Sequence, residues 1–153
     1  MTDAPPYDAA LVIHRLEEAG ATLLALPARG LRPADARAAW PEVVHEAAEA
    51  YGYTGERLRP AVPSAAHITR MDEALRWVAL IPPDRVVLRR IVGARSLVAP
   101  LTGRHLFSWR RLGEAVGADH RAVQRWHADG VGIIAHRLNA LDQTAQKMRA
   151  FRT

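Results

Sequence analysis

The stretch SWRRLGEAVGADHRAVQRWHADG, residues 108–130, predicts two short amphipathic helices that meet at a glycine. Ser108 is a typical N-cap, because its hydroxyl can accept a hydrogen bond from a backbone N–H of the first turn. Gly117 stands where the chain must turn sharply, in a conformation that costs a residue with a Cβ on the order of 1 kcal/mol. One apolar face of the first helix carries Trp109, Leu112 and Val116.

The second half of the stretch predicts a helix that packs back on the first. Asp119 is a candidate N-cap, and Val123 and Trp126 point toward the first helix. Gly113 provides a minimal side chain where the two elements approach each other closely. The polar side chains left on the open face of the second helix are His120, Arg121, Gln124 and Arg125.

Charge is unevenly distributed along the 153 residues. Residues 1–83 hold 8 Arg and 11 acidic residues, a net charge of −3, whereas residues 84–153 hold 13 basic and 5 acidic residues, a net charge of +8. A basic half favours a polyanionic partner such as nucleic acid. The helices of the acidic half are expected to complete the core, to dimerise, or to contact a partner such as RNA polymerase or a phage packaging enzyme.

Composition and motifs argue against catalysis, a cofactor or a metal. The chain has no cysteine, and its three serines lie outside any nucleophile elbow. The HEAAE segment at 45–49 has Glu49 where a zinc protease needs its second His. Because no apolar run approaches the roughly 20 residues that span a bilayer, and no signal peptide is recognisable, we expect a cytoplasmic protein that is not an enzyme.

Apolar periodicity predicts an all-α multi-helix bundle. Helices are expected at 7–26, 41–51, 68–81 and 85–94, with a loop at 95–107. Gly130 and Gly132 together would cost roughly 2 kcal/mol inside a helix. The second helix of the pair therefore either ends near Asp129 before another begins, or is one helix that bends there, and we favour the break. The predicted organisation is an acidic helical region at 1–52, a linker at 53–66, a DNA-binding domain at 67–141 and a basic tail at 142–153.

The spacing within 108–130 resembles the helix-turn-helix motif of bacterial and phage DNA-binding proteins, whose second helix enters the major groove. The resemblance implies that the open-face residues His120, Arg121, Gln124 and Arg125 read base edges. It also implies phosphate contacts from residues at or before the start of the first helix, namely Arg104, Ser108, Arg110 and Arg111.

A wider resemblance comes from EALRWVALIPPDRVVLRRI at 73–91, SWRRLGEAVGADHRAVQRW at 108–126 and GIIAHRL at 132–138. In this order the segments resemble the promoter-reading C-terminal region of sigma factors. The loop at 95–107 is longer than in that family, and no counterpart of the promoter-melting region precedes it. With LPARG at 26–30 and AWPEVV at 39–44, the whole chain resembles small helix-turn-helix proteins of phages and prophages in alphaproteobacteria.

These resemblances imply a sequence-specific DNA-binding protein, of the type that regulates phage or prophage transcription. Two alternatives remain open: a packaging-site binder similar to small terminase subunits, and a helix-turn-helix scaffold used for protein–protein interaction. The expected partners are double-stranded DNA and either RNA polymerase or a phage packaging protein. The sequence also permits a homodimer, in which two recognition helices would meet major grooves about 34 Å apart.

Overall fold

The computed structural model describes residues 6–27 and 60–152. This part of the chain is all-α, as predicted. Its five α-helices are α1 (Ala9–Ala25), α2 (Ala65–Trp77), α3 (Val86–Ser96), α4 (Trp109–Val116) and α5 (His120–Ala150). A 3₁₀ turn, Val78–Leu80, extends α2.

Three of the helices predicted from periodicity, at 7–26, 68–81 and 85–94, are confirmed with ends shifted by a few residues. The helix predicted at 41–51, Trp40 and the HEAAE segment lie outside the described residues. So does the first half of the predicted linker, 53–59, and α2 begins at Ala65, inside the range 53–66.

Helices α1 and α2 pack against each other through apolar side chains and are joined at the rim by two ion pairs. The Arg70 guanidinium donates to both carboxylate oxygens of Glu18, with both N···O distances 2.9 Å. Arg15 Nη2 lies 2.9 Å from Oε2 of Glu73. The apolar interface between the two helices contains the buried residues Val12, Leu16, Ala19, Met71, Ala74 and Leu75.

Helix α1 also crosses the end of α3 at a distance that only glycine allows. A Cβ built on Gly20 would lie 1.9 Å from the carbonyl oxygen of Ser96. The three helices α1, α3 and α5 thereby share one core, in which Ile91, Val92 and Ile134 are fully buried.

Helix α5 is continuous over 31 residues, so the predicted break near Asp129 is wrong. The reason is packing: Gly130 is buried, and a Cβ there would lie 2.7 Å from Val92 Cγ2 and 3.4 Å from Ile81 Cδ1. Glycine at this position lets α5 approach α3 closely. The apolar surface that the two helices bury against each other compensates for the unfavourable helix propensity.

The segment between α3 and α4, predicted as a loop, folds back on itself as a small hairpin. Val98 and His105 form an isolated antiparallel bridge, and the amide of Ala99 donates to the carbonyl of Arg104 at 2.8 Å. Gly103 turns the tip with a φ of +70°. The hairpin directs the chain from the end of α3 to the start of α4.

Candidate nucleic-acid interface

Helices α4 and α5 are joined by a tight turn, residues 117–119. Its geometry depends on two glycines, Gly117 in the turn and Gly113 in α4. Gly117 ends α4 with a φ of +73°, in the left-handed region that favours glycine. The amide of Ala118 donates to the carbonyl of Gly113 at 2.9 Å. A Cβ on Gly113 would lie 2.5 Å from the Ala118 carbonyl oxygen. The prediction of a sharp turn at Gly117, and of a close approach at Gly113, is confirmed.

The two predicted helix caps differ in outcome. Ser108 caps α4 as predicted, because its Oγ accepts from the amide of Arg111 at 3.1 Å. Asp119 occupies the N-cap position of α5, but its carboxylate makes no cap hydrogen bond. Its Oδ1 lies instead 3.0 Å from Nδ1 of His120. Asp119 is therefore the N-cap residue of α5, as predicted, but its side chain does not cap the helix.

The inner face of the helix pair is apolar. Leu112 and Val123 are buried, and Trp126 is half-buried and packs on the core. Because Val123 is completely inaccessible to solvent, the rotation of α5 about its own axis is fixed. The same rotation decides which side chains of its first two turns face outward.

The four residues predicted to read bases are brought together on that outward face. His120, Arg121, Gln124 and Arg125 are all exposed. Spacings of three and four residues bring their side chains together on one face of the helix. In the part of the chain that the structure describes, neither Arg121 nor Arg125 forms an ion pair. Among these residues, nothing therefore occupies the donors of either guanidinium group.

The residues predicted to contact phosphate lie at the start of α4 or just before it. Arg104, Ser108, Arg110 and Arg111 are exposed. The guanidinium carbon of Arg111 lies 5.1 Å from the ring centroid of Phe107, a contact that holds this side chain near the N-terminus of α4. Arg104 stands on the hairpin and is separated from Ser108 by three residues along the chain.

Sequence reasoning missed Arg95, which orients α4. This residue of α3 donates from Nη1 to the carbonyl of Phe107 at 2.8 Å, and its guanidinium carbon lies 4.1 Å from the centroid of the Trp109 ring. Burial lowers the pKa of Arg95 from its ordinary value, and nearby Glu17 opposes that shift. No local pattern reveals this role, because these interactions depend on the path of the hairpin.

His127 packs behind the helix pair. Its ring lies edge-on to Trp109, with the two centroids 5.1 Å apart. Burial, together with the charges of Arg95 and His105, lowers the pKa of His127 to about 4. The imidazole is therefore neutral at pH 7, which matches its place against an aromatic ring.

Two further properties bear on the class of site. In residues 6–27 and 60–152, no group of three or more His, Cys, Asp or Glu side chains is arranged to hold a metal ion. Among the described helices, none combines the length and the apolar character needed to cross a membrane.

One family model, described as a domain of unknown function (DUF6362), matches residues 25–134 of the chain. The matched range contains α2, α3, α4 and the first half of α5, and so includes the whole α4–α5 turn. No curated protein and no solved structure matches the chain.

Proposed function

The chain belongs to the DUF6362 family, and we propose that it is a sequence-specific binder of double-stranded DNA that regulates transcription. In this proposal α4 and α5 form a helix-turn-helix, and the first two turns of α5 lie in the major groove. The protein acts by occupying its site, without a catalytic step.

The observation that carries the proposal is the division of the first two turns of α5 into two faces. Val123 is fully buried and anchors the helix to the core, while His120, Arg121, Gln124 and Arg125 are exposed together. Two helices packed only for stability have no physical reason to concentrate on their open face guanidinium groups that no described residue pairs.

The chemistry of the exposed face suits base edges. Arg presents a planar pair of donors that matches O6 and N7 of guanine, and the Gln amide matches N6 and N7 of adenine. These are the side chains at positions 121, 124 and 125. Specificity for a few base pairs follows from this set if it enters the groove.

Backbone contacts would set the register of the protein on the duplex. Arg110 and Arg111 lie in the first turn of α4, directly after its cap Ser108, and Arg104 extends the basic surface along the hairpin. At the start of α5, the N–H groups of the first turn are not capped by the Asp119 side chain, and a phosphate oxygen can accept hydrogen bonds from such groups.

Electrostatics supports a polyanionic partner. The net charge of +8 in residues 84–153 belongs to the half of the chain that contains α3, α4 and α5. A positive field of this kind attracts DNA at long range and makes the affinity depend on salt.

The experiment has two stages. Selection from a random duplex library, followed by sequencing, tests whether the protein enriches a common motif. Fluorescence anisotropy on the selected duplex and on a scrambled duplex, over a salt series, then gives affinities and salt slopes. We expect log K to fall linearly with log salt concentration, with a slope of about −0.9 for each phosphate neutralised, and tighter binding to the selected duplex. A protein that enriches no motif and binds neither duplex at low salt would contradict the proposal.

A further inference from the structure

Helix α5 contains a second glycine, Gly132, that the packing of the described residues does not explain. Gly130 is buried, and a Cβ there would meet Val92 and Ile81. Gly132 is exposed, and a Cβ built there would have no heavy atom of the described residues within 4 Å outside the adjacent backbone of α5. Every residue except proline is more favourable than glycine in a helix interior. Among the described residues, no contact therefore accounts for a glycine at this position.

Gly132 lies on the face of α5 that carries the two exposed arginines. Because successive residues of an α-helix are rotated by about 100°, Gly132 falls between Arg121 and Arg125 around the helix axis, within about 20° of each. Along the axis it lies about 10 Å beyond Arg125. The major groove is about 12 Å wide, so a helix whose first two turns lie in it meets the sugar-phosphate backbone with the turns that follow.

We propose that the sugar-phosphate backbone at the edge of the bound major groove crosses α5 at Gly132, an inference that rests on the proposed function. A residue without a Cβ lets a phosphate approach the helix backbone closely, which is one use of glycine at ligand sites. A larger side chain at this position holds the duplex away from α5. Arg121 and Arg125, on the same face, then reach the base edges less well.

Charge favours DNA as the occupant of this face. Arg121 and Arg125 form no ion pair with any described residue. The half of the chain that contains them, residues 84–153, has a net charge of +8. A phosphodiester strand that crosses at Gly132 therefore lies in a positive field.

One neighbouring charge opposes the strand and gives the proposal a second consequence. Asp129 is exposed and precedes Gly132 by three residues, which makes the two positions neighbours on the helix surface. Its carboxylate repels a phosphate at Gly132. Removal of that negative charge should therefore strengthen DNA binding.

The first test compares Gly132→Leu with Ala140→Leu, by fluorescence anisotropy on the selected duplex. Ala140 is an exposed residue of the same helix, beyond the proposed crossing. Gly132→Leu should lose affinity on the order of tenfold or more, whereas its free energy of unfolding should not fall, because leucine favours helix more than glycine does. Ala140→Leu should bind as the wild type does. Urea denaturation shows that both variants are folded.

The outcomes separate this inference from the proposed function. A wild-type protein that binds the duplex while Gly132→Leu binds it equally well, or equal losses in the two leucine variants, would overturn the crossing at Gly132 alone. A wild-type protein that binds neither the selected nor the scrambled duplex would remove both proposals.

The second test compares Asp129→Asn with Asp142→Asn, the same change at an exposed position further along α5. Asp129→Asn should bind severalfold more tightly than the wild type, and the gain should shrink as salt concentration rises, because salt screens the repulsion that the change removes. Asp142→Asn should have a smaller effect. An affinity of Asp129→Asn that is unchanged or lower than that of the wild type would show that no phosphate lies beside Gly132.

Discussion

The guanidinium carbon of Arg95 lies 4.1 Å from the ring centroid of Trp109, and the same side chain donates to the carbonyl of Phe107 at 2.8 Å. One residue near the end of α3 thus holds both the residue that begins α4 and the chain just before it. Because α4 in turn packs on α5, the orientation of the proposed DNA-binding face depends on a side chain that does not belong to it.

Arg95→Met is expected to destabilise the protein by about 2 kcal/mol, since it removes a charged hydrogen bond and the cation–π interaction while keeping the aliphatic stem. Urea denaturation measures the free energy of unfolding. Arg90→Met is the matched control: the side chain is exposed on the same helix, so its loss should change stability by less than about 0.5 kcal/mol. Similar values for the two variants would show that Arg95 does not hold α4.

Gly130 and Gly132 lie two residues apart in α5, and alanine is expected to act in opposite directions at the two sites. At Gly130 a Cβ meets Val92 Cγ2 at 2.7 Å, so Gly130→Ala should destabilise by about 1 kcal/mol or more. At Gly132 a Cβ meets nothing within 4 Å, and Gly132→Ala should stabilise by about 0.5–1 kcal/mol through helix propensity. Thermal and urea unfolding of both variants measure the contrast. A stabilising effect at both sites would mean that α5 does not pack closely on α3.

His127 makes stability depend on pH. Its folded pKa of about 4 lies below the ordinary histidine value of 6.5, so the unfolded chain binds more protons between these values. Stability from this residue is fully present above about pH 6.5 and is lost as pH falls toward 4, by an amount on the order of 3 kcal/mol at most. Urea denaturation at a series of pH values should show this loss, and His127→Gln should reduce it.

The control for this pH dependence is His136→Gln, on the exposed face of the same helix. It should leave the slope of unfolding free energy against pH unchanged. If His127→Gln also gives the wild-type slope, the imidazole of His127 is not buried beside Trp109.

Local sequence signals were enough to predict the features that depend on neighbours in the chain. Ser108 caps α4, Gly117 turns left-handed and Val123 is buried, each as its residue type and spacing indicate. The largest failure involves packing between distant segments. Local propensity favoured a break near Asp129, whereas packing of Gly130 against Val92 keeps the helix whole.

The role of Arg95 could not be predicted either, because it arises only when the hairpin at 97–106 returns the chain beside α3. The pairing of Val98 with His105 has no clear alternating pattern in the sequence. A second long-range interaction has the same character: the Asn139 side-chain amide accepts from the backbone amide of Tyr7 at 2.8 Å and donates to its carbonyl at 2.9 Å. Such interactions link distant parts of the chain, so no local sequence pattern predicts them.

The most direct measurement of the central claim is the affinity of Arg121→Ala and Arg125→Ala for the selected duplex, beside Arg76→Ala as a control of equal charge change on α2. Arg76 is exposed and lies outside the α4–α5 pair. If α5 reads bases, each of the first two variants should lose about 1–3 kcal/mol of binding free energy on that duplex and little of its stability. Arg76→Ala should bind as the wild type does. Undiminished affinity of both α5 variants, or an equal loss in all three, would contradict the account.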